Sequence, residues 1–388
     1  MTQQNLPSNS GSTSSNVPTL VSASTVNQLL IEPLIPADNG EFIAQAIRNA
    51  KQFVWLEVYL LTQSNVIAAL IQAAQSLQSA TNLPATTDAP ATVDQSKVRV
   101  ILEPRAYSTA AGHSFQDIEQ QLTNAGVAVQ KNATQLGYGG ETHAKFMIVD
   151  GQVAYIMSAN LTTYSIGYAD AQGMQPASNR EYIVIDSDPQ RISTLMTLFT
   201  ADWDTNAPRF DPTLLQSSAL VVSPSFAGGK NNVVGNALAV LQQLIQSAQR
   251  TIQIEMEEIH ENEAYRIIEK ALVDAVTANV VVQLILPADP TNGKATTQVD
   301  ISYLINGGVQ VQLITTPIMH AKLILVDANV QNGQVVGGLA FVGSQNLSTN
   351  GMENNREVGL VISDANALYM LWQTFNQDWN NSQIPPQQ

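Results

Sequence analysis

The chain of 388 residues contains no cysteine. That excludes disulfide staples and thiolate metal sites, and it leaves either redox compartment open. Charge is also scarce: Asp, Glu, Lys and Arg make up 13% of the residues, about half the usual share. Basic residues are the scarcer sign, 17 against 32 acidic, for a formal net charge of −15. No run of Lys or Arg offsets it, so the surface repels phosphate backbones and non-specific nucleic-acid binding is disfavoured. No apolar run reaches 18 residues, and no span across a bilayer is expected. The N-terminus lacks the basic and apolar regions of a signal peptide. It carries TQQNLPSNSGSTSSN instead, and residues 1–25 are expected to form a disordered polar tail. Such a tail suits a mature secreted or periplasmic protein, and equally a flexible arm on a cytoplasmic one. Low charge and absent cysteine favour the exported reading.

What is present is a duplication. Residues 143–150 read HAKFMIVD and residues 320–327 read HAKLILVD, 177 positions apart. Ser158-Ala-Asn160-Leu161 answers Ser344-Gln-Asn346-Leu347, Asn179-Arg180-Glu181 answers Asn355-Arg356-Glu357, and Phe199-x-x-Asp202-Trp203 answers Phe375-x-x-Asp378-Trp379. Upstream, AKQFVWLE ending at Glu57 answers AQRTIQIE ending at Glu255. The first copy holds extra residues before its motif, and NLPATTDAPATVDQS at 82–96 reads as the inserted loop. Two copies of this length indicate a duplicated domain rather than a solenoid.

Within each copy, segments of helical period alternate with short β-branched stretches. The fold class that follows is α/β: two lobes, each a mixed sheet flanked by helices. Breakers in TNAPRFDPTLLQSS put the boundary near 205–218, so the lobes are expected at 26–207 and 208–388.

Alternate side chains of a strand share a face. His143 and Lys145 therefore project together while Asp150 points away, and His320, Lys322 and Asp327 divide the same way. Two such strands side by side would present two imidazoles and two ammoniums to one space. That set suits phosphodiester cleavage. One neutral histidine attacks phosphorus and becomes a phosphohistidine. The other, protonated, gives its proton to the leaving alkoxide. The lysines neutralise the non-bridging oxygens, with hydrogen bonds from the Ser and Asn of each S-x-N. Fixed cations do the electrostatic work, so neither a metal nor a cofactor is expected. Half of the four histidines and a quarter of the eight lysines sit in these two short strings.

The double H-x-K-x4-D string, followed in the second copy by Gly343-Ser344-x-Asn346, resembles the phospholipase D superfamily over roughly residues 28–382. The resemblance implies two α/β lobes related by pseudo-twofold symmetry, a site between them and a covalent phosphohistidine. It implies His143 as nucleophile and His320 as general acid. Lys145, Lys322, Asn160 and Asn346 are implied as phosphate binders, together with Ser158 and Ser344. Glu181 and Glu357 are implied as the acids that orient the histidines, and Asp150 and Asp327 as structural. The first copy departs from the pattern with Met157 where the second has Gly343, and that methionine is expected to narrow the space beside the phosphate.

Other features carry less. His113 and His260 read as loop or surface residues. Glu255, Glu257, Glu258, Glu261 and Glu263 read as a solvated acidic rim sooner than as a metal site. Glu57 and Glu255 recur at matched strand positions, either behind the catalytic groups or in a structural hydrogen bond. Tyr164, Tyr168 and Met174 lie in a long stretch between Asn160 and Glu181, which either touches a membrane or packs on its own domain.

Four functions compete. Phospholipase D hydrolysis or transphosphatidylation of glycerophospholipids comes first, with a phospholipid substrate, transient contact with a membrane surface and a monomeric chain. A nuclease of the superfamily is disfavoured by the acidic surface and the two motifs in one chain. A cardiolipin-synthase-like phosphatidyltransferase is the third; members of that group often have N-terminal membrane helices, for which this sequence shows no candidate. An idle binding protein is the fourth, and the intact His, Lys, Asn and Glu of both copies argue against it.

Overall fold

The computed structural model describes residues 28–385 apart from 34–37, 80–95, 109, 111, 138, 168–177, 227–233, 292–294 and 332–333. The polar tail, most of the 82–96 loop, Tyr168 and Met174 lie outside the described residues.

The first half contributes β1 (Gln28–Glu32), β2 (Val54–Val58), β3 (Val98–Leu102), β4 (Ala128–Lys131), β5 (Lys145–Val149), β6 (Val153–Met157) and β7 (Asn179–Asp186). They form one sheet in the order β1-β7-β6-β5-β2-β3-β4. The second half contributes β8 (Leu220–Ser223), β9 (Thr251–Met256), β10 (Val281–Pro287), β11 (Gln310–Ile314), β12 (Lys322–Val326), β13 (Leu339–Gly343) and β14 (Glu357–Ile362). Their order is β11-β10-β9-β12-β13-β14-β8, so each strand has its counterpart at the same place. Both sheets are mixed. The β2–β3–β4 and β9–β10–β11 pairings are parallel, and the motif strands β5 and β12 run antiparallel to both neighbours. The β-branched runs VRVIL and VVQLILP fit these positions because central strands are covered on both faces.

Helices cover the sheets: α1 (Glu41–Arg48), α2 (Ser64–Ser79), α3 (Phe115–Asn124) and α4 (Pro189–Trp203) in the first half, then α5 (Ala237–Gln246), α6 (Ile268–Thr277), α7 (Gln298–Asn306) and α8 (Ala365–Asn381). Asp188 and Asp364 cap α4 and α8 by accepting from backbone N–H groups of the first turn.

Each lobe packs its own apolar layer under α1–α3 or α5–α7. A further cluster contains residues of both halves, among them Phe146, Tyr182 and Phe199 of the first and Leu323, Leu360 and Phe375 of the second. The lobes therefore share a core. The chain also crosses between them: Ile318–Met319, just before β12, pairs with Asn179–Arg180 of β7, and Thr142, before β5, forms a bridge with Arg356, before β14.

Candidate active site

These two crossings set the geometry of the site. Thr142 lies beside Arg356, so the next residues, His143 and Glu357, come from opposite lobes and meet. The His143 Nδ1 lies 2.8 and 3.0 Å from the Glu357 carboxylate oxygens. The Ile318–Met319 crossing does the same for the second copy, and His320 Nδ1 lies 2.7 Å from Glu181 Oε1. Each imidazole is thus held by the acid of the other lobe. The sequence paired histidines with glutamates without showing that the pairs exchange partners across the interface.

Lys145 and Lys322 are fully buried beside these rings. Lys145 Nζ donates to the carbonyl of His143 at 2.5 Å, and Lys322 Nζ donates to that of His320 at 2.7 Å. Asn160 and Asn346 are buried, and the side-chain Oδ1 of each has no hydrogen-bond partner among the described residues. A buried polar atom left this way is a site for an incoming donor. His320, Lys322 and Asn346 meet at the Glu257 carboxylate, and the charges of Lys145 and Lys322 both act on His143, so these groups of the two copies are brought together.

Ser158 and Ser344 sit differently. The Ser158 hydroxyl donates to Glu181 Oε2 at 2.5 Å and accepts from the Tyr182 N–H at 2.9 Å. Ser344 Oγ bonds the N–H and the carbonyl of Val358. Both hydroxyls are spent holding β7 and β14 against their neighbours, which corrects the expectation that they face the phosphate. Met157 is a second correction. It is fully buried in the apolar layer under α1 and α2, because the strand's alternation sends it to the face opposite Ser158. Its counterpart Gly343 lies opposite Gly359, whose Cα would be 2.5 Å from an added Cβ. Close strand contact accounts for the glycine, and the methionine does not narrow the phosphate space.

Asp150 and Asp327 end the motif strands in left-handed conformations, φ 58° and 50°. Asp150 accepts from the backbone N–H groups of Lys51, Gln52 and Phe53, and Asp327 from those of Gln249, Arg250 and Thr251. These carboxylates anchor the starts of β2 and β9, far along their strands from the histidines.

The electrostatics separate the two lobes. Burial pushes the His143 imidazole down to about 4, and the charges of Lys145 and Lys322 add to this against the pull of Glu357. The ring is neutral at pH 7, and with Nδ1 given to Glu357 its Nε2 carries the lone pair. Burial also pushes Lys145 down to about 7, partly opposed by Glu357. Burial acts to raise Glu181, yet His320, Lys322 and Ser158 hold it below the usual carboxylate range. His320 faces carboxylates on both ring nitrogens, since its Nε2 lies 3.3 Å from Glu257 Oε2.

Behind the site lies a second exchange of partners. Arg180 forks onto Asp378 at 2.6 and 2.8 Å, and Arg356 onto Asp202 at 2.7 and 2.9 Å. These are the arginines of the two Asn-Arg-Glu strings and the aspartates of the two Asp-Trp pairs. Glu255 accepts from the Tyr182 hydroxyl, and burial with the nearby charge of Asp378 pushes its carboxyl up to about 8. Glu57 is fully buried and raised by the same causes, with Asp202 as its neighbour. Sequence reasoning placed Glu57 and Glu255 either behind the catalytic groups or in a structural hydrogen bond, and recorded the arginines and aspartates as repeat markers only. Their recurrence as charges in so uncharged a chain was the available signal.

The acidic rim is also corrected. Glu255, Glu257 and Glu261 are buried. Glu261 caps α6 by accepting from the N–H groups of 267, 268 and 269, and Glu257 enters the site. Among the described residues no cluster of His, Asp and Glu could hold a metal ion. His113 is exposed, and His260 bonds Asp300 at 2.9 Å on the strand beside Leu347–Ser348.

The sequence model of the family described as "Cardiolipin synthase, PLD-like domain" matches residues 91–203 and 241–379. The chain belongs to the phospholipase D superfamily. A probable cardiolipin synthase of Bacillus subtilis is 25% identical over 259 residues, 62% of this chain and 46% of its own length. Cardiolipin synthase 1 of Staphylococcus epidermidis is 23% identical over 260 residues, 62% and 48%. The chain thus spans about half the length of the curated relatives it matches. Among solved structures, the phosphatidylserine synthase of Haemophilus influenzae superposes with a TM-score of 0.60 at 14% identity, covering 94% of this chain and 88% of that one. The polyphosphate kinase of Porphyromonas gingivalis gives 0.58 at 13%, covering 93% and 52%. At these identities the likeness is one of fold. Among the described residues no helix is long and apolar enough to cross a membrane.

Proposed function

We propose that this phospholipase D-like site transfers a phosphatidyl group from a glycerophospholipid to an alcohol through a phosphohistidine. The single observation that carries the reading is the pair of histidines, each held at Nδ1 by the glutamate of the other lobe, one neutral and one between two carboxylates. His143 Nε2 attacks phosphorus. As the bond to the leaving alkoxide breaks, His320 gives that oxygen its proton. An acceptor alcohol then returns a proton to His320 while its oxygen displaces His143. Lys145 and Lys322 offset the charge on the non-bridging oxygens, and Asn160 and Asn346 supply hydrogen bonds.

Sequence alone put hydrolysis and exchange of the phospholipase D kind first. The relatives, synthases by name, favour transfer into a larger lipid. A nuclease remains disfavoured by the charge of −15. Access to a lipid implies contact with the membrane surface, and Tyr164, shortly after Asn160 in the chain, is 60% exposed.

Vesicles of phosphatidylglycerol and phosphatidylethanolamine, incubated with the protein and glycerol with and without EDTA, test this by mass spectrometry of the lipids. New phosphatidyl esters, cardiolipin among them, are expected with or without chelator. His143→Ala and His320→Ala should each lower turnover at least about a thousandfold. Cleavage of added single-stranded DNA with no lipid product would reject the proposal.

A further inference from the structure

The two halves of the site differ at one matched position. Two residues beyond Glu57 and Glu255 stand Tyr59 and Glu257. The Tyr59 ring meets His143 edge-on at 4.8 Å, and Lys145 Nζ lies 5.3 Å from its centre. Glu257 places a carboxylate in the same region. Its Oε2 lies 2.7 Å from Lys322 Nζ, 3.3 Å from His320 Nε2 and 3.5 Å from Asn346 Nδ2. Those three groups are the second copy's whole set of candidate phosphate donors, and one buried oxygen engages all of them.

We propose that Glu257 is a stand-in for a phosphoryl oxygen and a specificity-determining residue of the site. An oxygen contacted by an ammonium, an imidazole N–H and an amide N–H has the surroundings that a non-bridging oxygen needs. A substrate phosphate enters by displacing it. The displaced carboxylate stays tethered beside the phosphorus, where it repels a second negative charge and can accept from a donor on the substrate. A head group or acceptor bearing a hydroxyl or an ammonium supplies that donor. A free phosphate dianion brings that second negative charge, and a polyanionic strand brings further ones. The preferred class is therefore a singly charged phosphodiester whose alcohol side carries a hydrogen-bond donor. This rests on the phosphodiester reading above, and it adds a residue outside the two motifs.

The test is binding of inorganic phosphate to the full chain near pH 7, by calorimetry, for the unaltered protein, Glu257→Gln and Glu257→Tyr. Glutamine keeps the shape without the charge, and tyrosine restores the residue of the first copy. Both should bind phosphate at least about tenfold more tightly, the effect of removing a like charge at contact distance. Thermal unfolding shows which variants are folded, and either one suffices. In the lipid assay the unaltered protein should favour glycerol over 1-propanol as acceptor, and Glu257→Gln should lose most of that preference. Phosphate binding that is unchanged or weaker in the folded variants overturns the stand-in. Tighter binding with an unchanged acceptor preference overturns its part in specificity. Tighter binding by a protein that transfers no lipid leaves the stand-in and removes the phosphatidyl-transfer reading instead.

Discussion

At the scale of single residues, the least ordinary group in the site is Lys145. It has no solvent exposure, and burial brings its ammonium down to about 7, with the charge of Lys322 acting the same way and Glu357 opposing. Only the protonated form offsets phosphate charge. As pH rises through about 7 the empty site loses that cation, so kcat/KM for an anionic diester should fall on the alkaline side, by up to about tenfold per unit. His143, brought down to about 4, stays neutral until well into acid and imposes no loss between pH 5 and 7. A pH series of kcat/KM from 5 to 9 checks both limbs. A profile flat to pH 9 would show that Lys145 keeps its proton. The identity of these groups was legible in the sequence because two copies repeated them, and a repeat exposes function where a single chain cannot. Glu257 escaped for the converse reason. It has no partner of its own kind in the first copy, and in a run of acids it passed for solvated surface.

At the scale of elements, alternation along a strand separates His143 and Lys145 from Asp150 in the sequence. It could not say where Asp150 goes. The answer lies in a neighbouring strand almost a hundred residues away, whose first N–H groups need an acceptor. Pairing of distant segments is a tertiary property, and local pattern does not encode it. The same limit explains Met157 and the two serines, whose surroundings depend on which strand lies alongside. Asp327 gives the cleaner test because it lies well away from the reacting groups. Its carboxylate satisfies three N–H donors at the start of β9, and its φ of 50° suits Asp or Asn better than most residues. Asp327→Ala should cost about 2–4 kcal/mol in urea unfolding, through lost charge-assisted bonds and unsatisfied donors. Asp327→Asn should cost less, and folded protein of either variant should keep near-normal turnover. A stable Asp327→Ala variant with lost turnover would place the aspartate in the chemistry.

At the scale of the whole molecule, the fold class and the matching of the halves were readable, since duplicated order in sequence became duplicated order in the sheets. The exchange of partners was not. Nothing in one copy states that its glutamate serves the other copy's histidine, or that its arginine meets the other's aspartate. The buried pair of Arg180 and Asp378 shows what this exchange does. Arg180 sits directly before Glu181, which holds His320, so the bridge ties α8 to the strand that aligns the proposed acid. Asp378→Asn would leave a buried guanidinium without its counter-charge, and loss of one partner of such a pair costs about 3–5 kcal/mol. Arg180→Met combined with Asp378→Leu removes both charges, and a well-packed apolar pair can recover most of that loss. Denaturant midpoints for the single and double variants measure the coupling. If the bridge only binds the lobes, the double variant regains turnover together with stability. If the guanidinium also sets the position of Glu181, the double variant is stable but slow, and phosphohistidine trapped on His143 forms more slowly because His320 no longer presents its proton well. A single Asp378→Asn variant as stable as the unaltered protein would show that this pair does not hold the lobes together.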